Sequence, residues 1–545
     1  MNAALRKIGK HGTDGEMRVT GAGASLEIYG ELVLALQRHA GHEVAYSRVE
    51  TSATVNRVFI EYEDHATTLY AADVALDILN AIHATPDSLA PDAISSLREQ
   101  LDEYVSFAMA RRPDPNTRLL REAARRQDIP VIGMDLPWDV PTWPGAANRT
   151  GVVQYGWGIN QRHCRGSLPL GSLTSRQIKA CTERASLVTK LRDAGLPVAG
   201  QDLEFTNRNQ VRRAQRSAAR IGYPVMVRPK VVALPRYGFL DGGAFGPLDN
   251  DRQVELAVGY LREMAKADIW VEAFVPGAHY RCLVLGSEVV SVLRMAPPAV
   301  IGDGVRTVAE LAQASGNSVE DAEGRRAWQR LTAGDGALLC RLQLRGMNLS
   351  SVPAPGEEIL LRDRGTCYNG GAATEVLEEV PVQFSDLALQ AASVPGLQEM
   401  AGVDLVIADL QGPAAMPNCA VTGVDPIPDL VAHSKAIEAN AHRIPAKYFS
   451  MVLPRGGSFR IPSVSITGTN GKTTTSRMVA GILKESGLKV GLSCSDGSYL
   501  DDDILVQEDE AGVRGANEVL CNAATEAAVL ETARGNMANT GIAFE

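Results

Sequence analysis

The stretch SITGTNGKTTTSRM, residues 465–478, reads as the end of a strand, a glycine-rich turn and the start of a helix. The run before it, "SVSIT", is rich in strand formers, and "TTTSRMVAGILKESG" after it has amphipathic helical spacing. Strand, glycine turn, helix is the setting a phosphate-binding loop requires. Gly468 and Gly471 let the backbone curl, so that its N–H groups point at phosphate oxygens. Lys472 is then placed for the β- and γ-phosphates, and Thr473 offers its hydroxyl to Mg²⁺. The candidate nucleotide-binding set here is Gly468, Thr469, Asn470, Gly471, Lys472, Thr473 and Thr474. The usual pattern has a glycine five residues before the second glycine, and this chain has Ile466 there. The competing reading is a glycine turn with a lysine by chance.

Working outward, the 545 residues leave room for three or four domains. Hydrophobic residues make up 45% and charged residues 22%, which suits globular domains with sizeable cores. The formal net charge of −10 argues against general nucleic-acid binding. The eight cysteines form no C-x-x-C pair, so zinc and redox motifs lack support and reduced buried thiols are expected. The N-terminus has no apolar signal core, and no apolar run approaches the length of about 20 residues that spans a membrane. A soluble cytoplasmic protein that binds neither membrane nor nucleic acid is expected.

Residues 1–20 read as frayed. "SLEIYGELVLALQRHAGHEVAYSRVE" reads as a helix stopped near Gly41, then a strand, and "NRVFIEYED" alternates as a strand. Helical character runs to about Met109, and "LLREAARRQDIPVIGMD" reads helix, turn, strand. "PWDVPTWPGAANRTG" places a connection near 138–150. "ACTERASLVTKLRDAGLPV" reads as one helix closed by Gly195 and followed by a strand. "RNQVRRAQRSAARIGYPVMVRPK" reads as a basic helix, a turn and a strand. Three further strands follow in "ADIWVEAFVPGAHYRCLVLGSEVVSVLRM", and "ASGNSVEDAEGRRAWQRL" reads as a helix-bearing insertion. A third unit starts near Pro454.

The loop G-T-N-G-K-T-T resembles that of Mur ligases, which join an amine to a carboxylate through an acyl phosphate. "VLETARGNM" adds to this: the resemblance makes Glu531 a Mg²⁺ ligand ahead of Ala533, Arg534 and Gly535, with Asn536 in place of a second glycine. "VEAFVPGAHYRCLVLGSEVV" resembles an ATP-grasp fold, which puts Glu272 near the nucleotide and Arg281 near phosphates. "PPAVIGDGVRTVAEL" follows Arg294 and closely resembles a segment of the cyanophycin synthetases. "LVTKLRDAGLPV" with Lys190, "LLRDRGTCYNGGAATEV" and "LQRHAGHEVAYSR" match further segments of that family in order. The resemblance therefore runs along nearly the whole chain.

The resemblance implies α/β and α+β domains: 1–165 as an N-terminal domain, 166–453 as an ATP-grasp domain, and 454–545 as an incomplete Mur ligase-like P-loop domain. It implies ATP and Mg²⁺, and amino acids (Asp, Arg or a dipeptide) added to a growing acidic peptide by a homo-oligomer. Arg281 and Arg294 become the candidate catalytic residues. Lys190, Arg228 and Glu272 join the nucleotide set. Asp404, Asp425, Thr473 and Glu531 become the candidate metal ligands.

Departures from the family are heavy. Arg228 precedes Pro229 where the family has lysine, and His279 replaces an acid. Gly423 stands where the metal-binding glutamate should be, and Asp425 where asparagine should be. His433 falls where the family has a histidine, with a polar surface role equally open. Family members continue with further lobes beyond the segment that ends here at Glu545, so a full Mur-type arginine addition by this chain alone is not expected. Two functional readings stand: an ATP-dependent carboxylate–amine ligase, or an impaired relative that binds nucleotide or peptide as a scaffold.

Overall fold

The computed structural model describes residues 23–42, 44–51, 56–84, 91–133, 151–202, 210–229, 244–265, 269–315, 336–362, 371–452, 458–540 and 542. The N-terminal stretch expected to fray, the expected 138–150 connection and nearly all of the expected helix-bearing insertion lie outside the described residues. The chain divides into two compact units, one of Met1–Asp114, Asp128–His163 and Pro454–Glu545, the other of Pro115–Gln127 and Cys164–Leu453.

The first unit opens with helix α1 (Gly23–His39). Arg38 and His39 favour its carbonyl end, and Gly41, at φ +83°, returns its N–H to the Arg38 carbonyl. Strands β1 (Ser47–Thr51) and β2 (Asn56–Ile60) pair antiparallel, Ser47 against Ile60. Helices α2 (His65–Ala84) and α3 (Pro91–Ala110) follow. Tyr29, Val33 and Leu36 of α1 pack on Ala71, Val74 and Ala75 of α2 and on Tyr104 and Ala108 of α3. Strand β3 (Val131–Gly133) pairs antiparallel with β4 (Val152–Tyr155).

The second unit begins with α4 (Pro115–Arg126) and resumes at Cys164, within β5 (Arg162–Arg165), which pairs through Cys164 and Arg165 with β6 (Leu168–Pro169). The single helix expected across 181–195 is two. Helix α5 (Ser175–Thr182) starts on a Thr174–Gln177 capping box, and α6 (Arg184–Asp193) starts afresh. Glu183 between them is extended, at φ −86° and ψ 102°, which breaks the helical path. The strand expected directly after Gly195 is absent, and β7 (Gln201–Asp202) comes later.

Two antiparallel sheets follow. The smaller has the order β7-β10-β8-β9, from β8 (Val225–Pro229), β9 (Phe245–Leu248) and β10 (Ile269–Ala273). Helices α7 (Gln210–Ile221) and α8 (Asp251–Ala265) cover one face, where Val225, Val227, Ile269 and Val271 bury against Ala214, Ala218, Val254 and Leu261. Alternation turns Met226, Arg228, Trp270 and Glu272 to the other face. The larger sheet has the order β15-β12-β11-β16-β17. Its strands are β11 (Ala278–Leu285), β12 (Glu288–Ala296), β15 (Ala372–Glu375), β16 (Met400–Ile407) and β17 (Cys419–Asp425). Between β12 and β15 lies an antiparallel pair of β13 (Ala299–Ile301) with β14 (Glu358–Leu360), backed by the intervening helices α9 (Val308–Ser315) and α10 (Gly336–Leu344). Tyr280, Cys282, Val403 and Leu405 point to a core closed by α5, α6 and α11 (Val382–Ser393). The opposite face carries Arg281, Asp404 and Gly423 in register, and is backed at one end by α12 (Leu430–Lys435); α13 (Glu438–Val452) ends the unit.

The chain then returns to the first unit. The last sheet has the order β18-β22-β19-β20-β21, from β18 (Ser463–Ile466), β19 (Val490–Cys494), β20 (Gly497–Leu500), β21 (Asp503–Val506) and β22 (Ala527–Glu531). The first three run parallel, joined by α14 (Lys472–Glu485) and α15 (Val513–Leu520) as crossovers. Central β19 and β22 are buried throughout, which explains their near-continuous apolar sequences. A short helix α16 (Arg534–Thr540) follows β22.

Candidate functional site

In the second unit, the polar face of the small sheet meets the first turn of α6 and strand β17. Arg228 lies 2.5 Å from one oxygen of Glu272, and Arg184 lies 2.8 Å from the other. Arg184 also donates to the Thr422 carbonyl. All three charged groups are at most 6% exposed. One carboxylate thus serves two guanidiniums, and the helix break at Glu183 is what starts α6 at Arg184. Two buried donors, Arg184 Nε and Trp270 Nε1, have no acceptor among the described residues.

Thr422 links this triad to the larger sheet, its hydroxyl donating to the Asp404 carbonyl at 3.3 Å. There Arg281 sits between two carboxylates. It is 3.8 Å from Asp404 and forms a tight pair with Asp425. Burial works against the charge on Arg281, but Asp404, Asp425 and Asp429 outweigh it and hold its pKa above the ordinary arginine value. Burial raises the Asp425 carboxyl, against the pull of Arg281. A Cβ at Gly423 would meet Asp404 Oδ2 at 2.9 Å, so the Asp404 carboxylate fills the space a side chain there would need.

The candidate residues therefore fall into groups. Arg228 and Glu272 come together, as do Arg281, Asp404 and Asp425. Arg294 does not join them. It pairs in register with Tyr280, on the face opposite Arg281, and is exposed. Lys190 is half-buried on α6, and its ammonium makes no hydrogen bond or ion pair among the described residues. It and Asp425 both act on Cys181, whose thiol burial pushes up to about 12, Asp425 raising it further and Lys190 lowering it.

His433 is not at the surface but fully buried. Its Nδ1 is 2.7 Å from Ser291 Oγ, which donates to Glu375 at 2.5 Å. Because the serine proton goes to Glu375, Nδ1 carries the imidazole proton and Nε2 the lone pair. Glu375 also accepts from the Val292 N–H and from Asn440. Burial first, then Arg281, lowers the His433 pKa to about 3, so the ring is neutral.

In the first unit the phosphate-loop geometry is local. Gly471 caps α14 at φ +79°, a conformation that favours glycine. The Lys472 ammonium makes no hydrogen bond or ion pair among the described residues, and residues 467–471 are exposed. Ile466 and Glu531 are register partners, so the loop and Glu531 leave the same carboxyl edge of the parallel sheet. Glu531 is 1% exposed and held by the backbone N–H and the hydroxyl of Ser495, at 3.2 and 3.1 Å. Asn536 ties α16 back to the Ala511 carbonyl.

The donor chemistry here fits a hard cation, the Thr473 hydroxyl and the Glu531 carboxylate both being oxygen ligands. The larger sheet fits one poorly, because Arg281 already engages both of its carboxylates. Among the described residues no three His, Cys, Asp or Glu side chains gather as a metal site. Sequence reading missed Arg184 and Ser495. Reading 181–195 as one helix hid Arg184, and no motif marks Ser495.

The architecture is the mixed α/β multidomain layout that the ATP-grasp and Mur ligase resemblance implies. The Mur ligase middle domain family matches residues 466–543. Along the chain as a whole the similarity is to cyanophycin synthetases. The chain is 27% identical to that of Crocosphaera subtropica over 526 residues, 95% of this chain and 56% of that protein. It spans about half the length of these relatives. The glutathione biosynthesis bifunctional protein of Mannheimia succiniciproducens is 30% identical over 299 residues, 52% of this chain and 37% of that one. Among solved structures, a bifunctional glutathione synthetase from Pasteurella multocida aligns with 72% of this chain and 58% of its own, at 18% identity and a TM-score of 0.40. No described helix is long and apolar enough to cross a membrane.

Proposed function

We propose that the chain is an ATP-dependent carboxylate–amine ligase of the cyanophycin synthetase type. It would work in the cytoplasm as a homo-oligomer, on aspartate, arginine or a dipeptide and a growing acidic peptide. The proposed division is an N-terminal domain over 1–165, an ATP-grasp domain over 166–453 and a Mur-like domain over 454–545. One observation carries the reading. Arg228, Glu272, Arg184, Thr422, Asp404, Arg281 and Asp425 form one unbroken run of contacts across two sheets. Five of the candidate residues, Arg228, Glu272, Arg281, Asp404 and Asp425, thus join one charged cluster, and the proposal makes that cluster the wall of the reactant cleft.

The chemistry proposed is activation followed by substitution. A substrate carboxylate oxygen attacks the terminal phosphorus of ATP, and ADP leaves with the bonding pair. An amine then adds to the acyl carbon, forming the C–N bond, and loses a proton; the adduct collapses, the carbonyl re-forms, and phosphate departs with the electrons of its C–O bond. ATP supplies the phosphoryl group. Arg228 and Arg184 line the cleft with positive charge, and Arg184 Nε and Trp270 Nε1 are donors that an acceptor-rich ligand would satisfy. Arg281 contributes a fixed guanidinium beside the reacting carboxylate. In the other unit, Lys472 and the 467–471 backbone would hold phosphates, and Thr473 and Glu531 would hold Mg²⁺.

The scaffold reading has its own supporting observation, since Arg281 engages both Asp404 and Asp425 while Gly423 brings no third carboxylate. The test is phosphate release from Mg-ATP with a short aspartate primer and each amino acid in turn. Release that needs both primer and amino acid supports the ligase. Nucleotide binding with no release above background in any combination refutes it and leaves the scaffold.

A further inference from the structure

Across β16 and β17 the cross-strand pairs alternate carboxylate and glycine. Asp404 stands opposite Gly423, and Asp425 opposite Gly402. Ala401, Val403 and Leu405 point into the core, so Gly402 and Asp404 share the other face with Arg281, whose register partner is Asp404. Arg281 does not stay over that partner. A Cβ at Gly402 would meet Arg281 Nη2 at 3.0 Å and Nε at 3.3 Å, with Pro428 Cβ at 3.3 Å beside them. The guanidinium therefore crosses β16 in the space that Gly402 leaves, and from there it reaches Asp425 on the next strand.

This placement commits the carboxylates. Asp425 accepts from Arg281 at Oδ2 and from the Ile427 N–H at Oδ1, the latter at 2.9 Å. Asp404 Oδ1 is 3.8 Å from Arg281 Nη1, and Asp404 Oδ2 fills the space beside Gly423. Position 423, as glycine, adds no carboxylate of its own. The ATP-grasp resemblance implies a metal at Asp404 and Asp425, and the residues present do not fit one. Mg²⁺ needs oxygen ligands in near-octahedral geometry and gives up its water reluctantly. A divalent cation entering here would have to displace a guanidinium that keeps its charge at any working pH and that matches carboxylate in shape.

We propose that Arg281 is the built-in counter-cation of Asp404 and Asp425, standing in for a divalent metal. The pair then holds no divalent cation of its own, and any cation used at this face arrives bound to a ligand. The inference goes beyond the ligase reading and stands whether the cleft turns over substrate or only binds it. The test is titration of the full chain with Mn²⁺ alone, without nucleotide, read by loss of the free-ion signal in electron paramagnetic resonance. Wild type and Asp404→Asn are expected to bind the same number of ions with the same affinity, since any ion held by Thr473 and Glu531 counts equally in both. Arg281→Gln removes the competing charge and is expected to bind one ion more per chain than wild type. The double variant R281Q/D404N should lose that ion again. A lost or weakened ion in Asp404→Asn overturns the proposal, because the carboxylates would then hold metal with Arg281 in place. So does an Arg281→Gln protein that is folded by far-UV circular dichroism yet gains no ion. The comparison of wild type with Asp404→Asn leaves Arg281 untouched, so it tests the proposal even where Arg281→Gln fails to fold.

Discussion

The proposed cleft of the second unit and the glycine loop of the first both hold basic side chains, but in opposite states. In the cleft, Arg184 and Arg228 share Glu272, and Arg281 bridges Asp404 and Asp425. In the loop, Lys472 has no protein partner among the described residues and the backbone around it is exposed. Buried charges without a counter-charge are very costly, so the cleft's arginines are structural as long as nothing else neutralises them. A half-buried lysine on a helix N-terminus, beside an exposed loop, carries far less of that cost and remains available to an anion. The comparison predicts that mutations in the cleft register first as lost stability, and mutations in the loop as lost ligand.

Glu272→Ala is the harshest test. It removes the carboxylate that two buried guanidiniums share and is expected to cost about 3–5 kcal/mol, read from the urea midpoint. A loss below about 1 kcal/mol would show that the triad is well solvated and the contrast wrong. His433 sharpens the same point by pH. Its folded pKa of about 3 lies below its unfolded value near 6.5, so protonation favours the unfolded chain. The stability it contributes is complete above pH 6.5 and is lost as pH falls toward 3, at up to about 1.4 kcal/mol per unit. Urea midpoints measured across that window should fall more steeply in wild type than in His433→Gln.

The loop side shows smaller effects. Ser495→Ala removes the hydroxyl donor to buried Glu531 and should cost about 1–3 kcal/mol in thermal or urea unfolding. Lys472→Ala should shift stability by less than about 0.5 kcal/mol without nucleotide, since nothing in the described structure depends on its charge. A large loss in the apo protein would mean that Lys472 is a structural residue like those of the cleft.

The two regions were also unequally legible. The loop's chemistry is contained in one continuous strand, turn and helix, so spacing alone places Gly471, Lys472 and Thr473. The cleft depends on pairs far apart in sequence, such as Arg281 with Asp425, which only the sheet register brings together. Arg184 was hidden because a helix break at Glu183 depends on backbone angles that no periodicity reveals. Arg294 was misgrouped with Arg281 because a motif fixes a position along a strand but not the face it occupies. His433, open to a surface role in sequence, is held by the Ser291–Glu375–Asn440 network, whose members lie on three separate elements.

Titration calorimetry with Mg-ATP tests the contrast most directly, run on wild type and on Lys472→Ala under conditions where both are folded. The account predicts that the tighter binding component of wild type disappears in Lys472→Ala while any weaker component remains. An isotherm unchanged by Lys472→Ala would contradict it and place the principal nucleotide site in the ion-paired cleft.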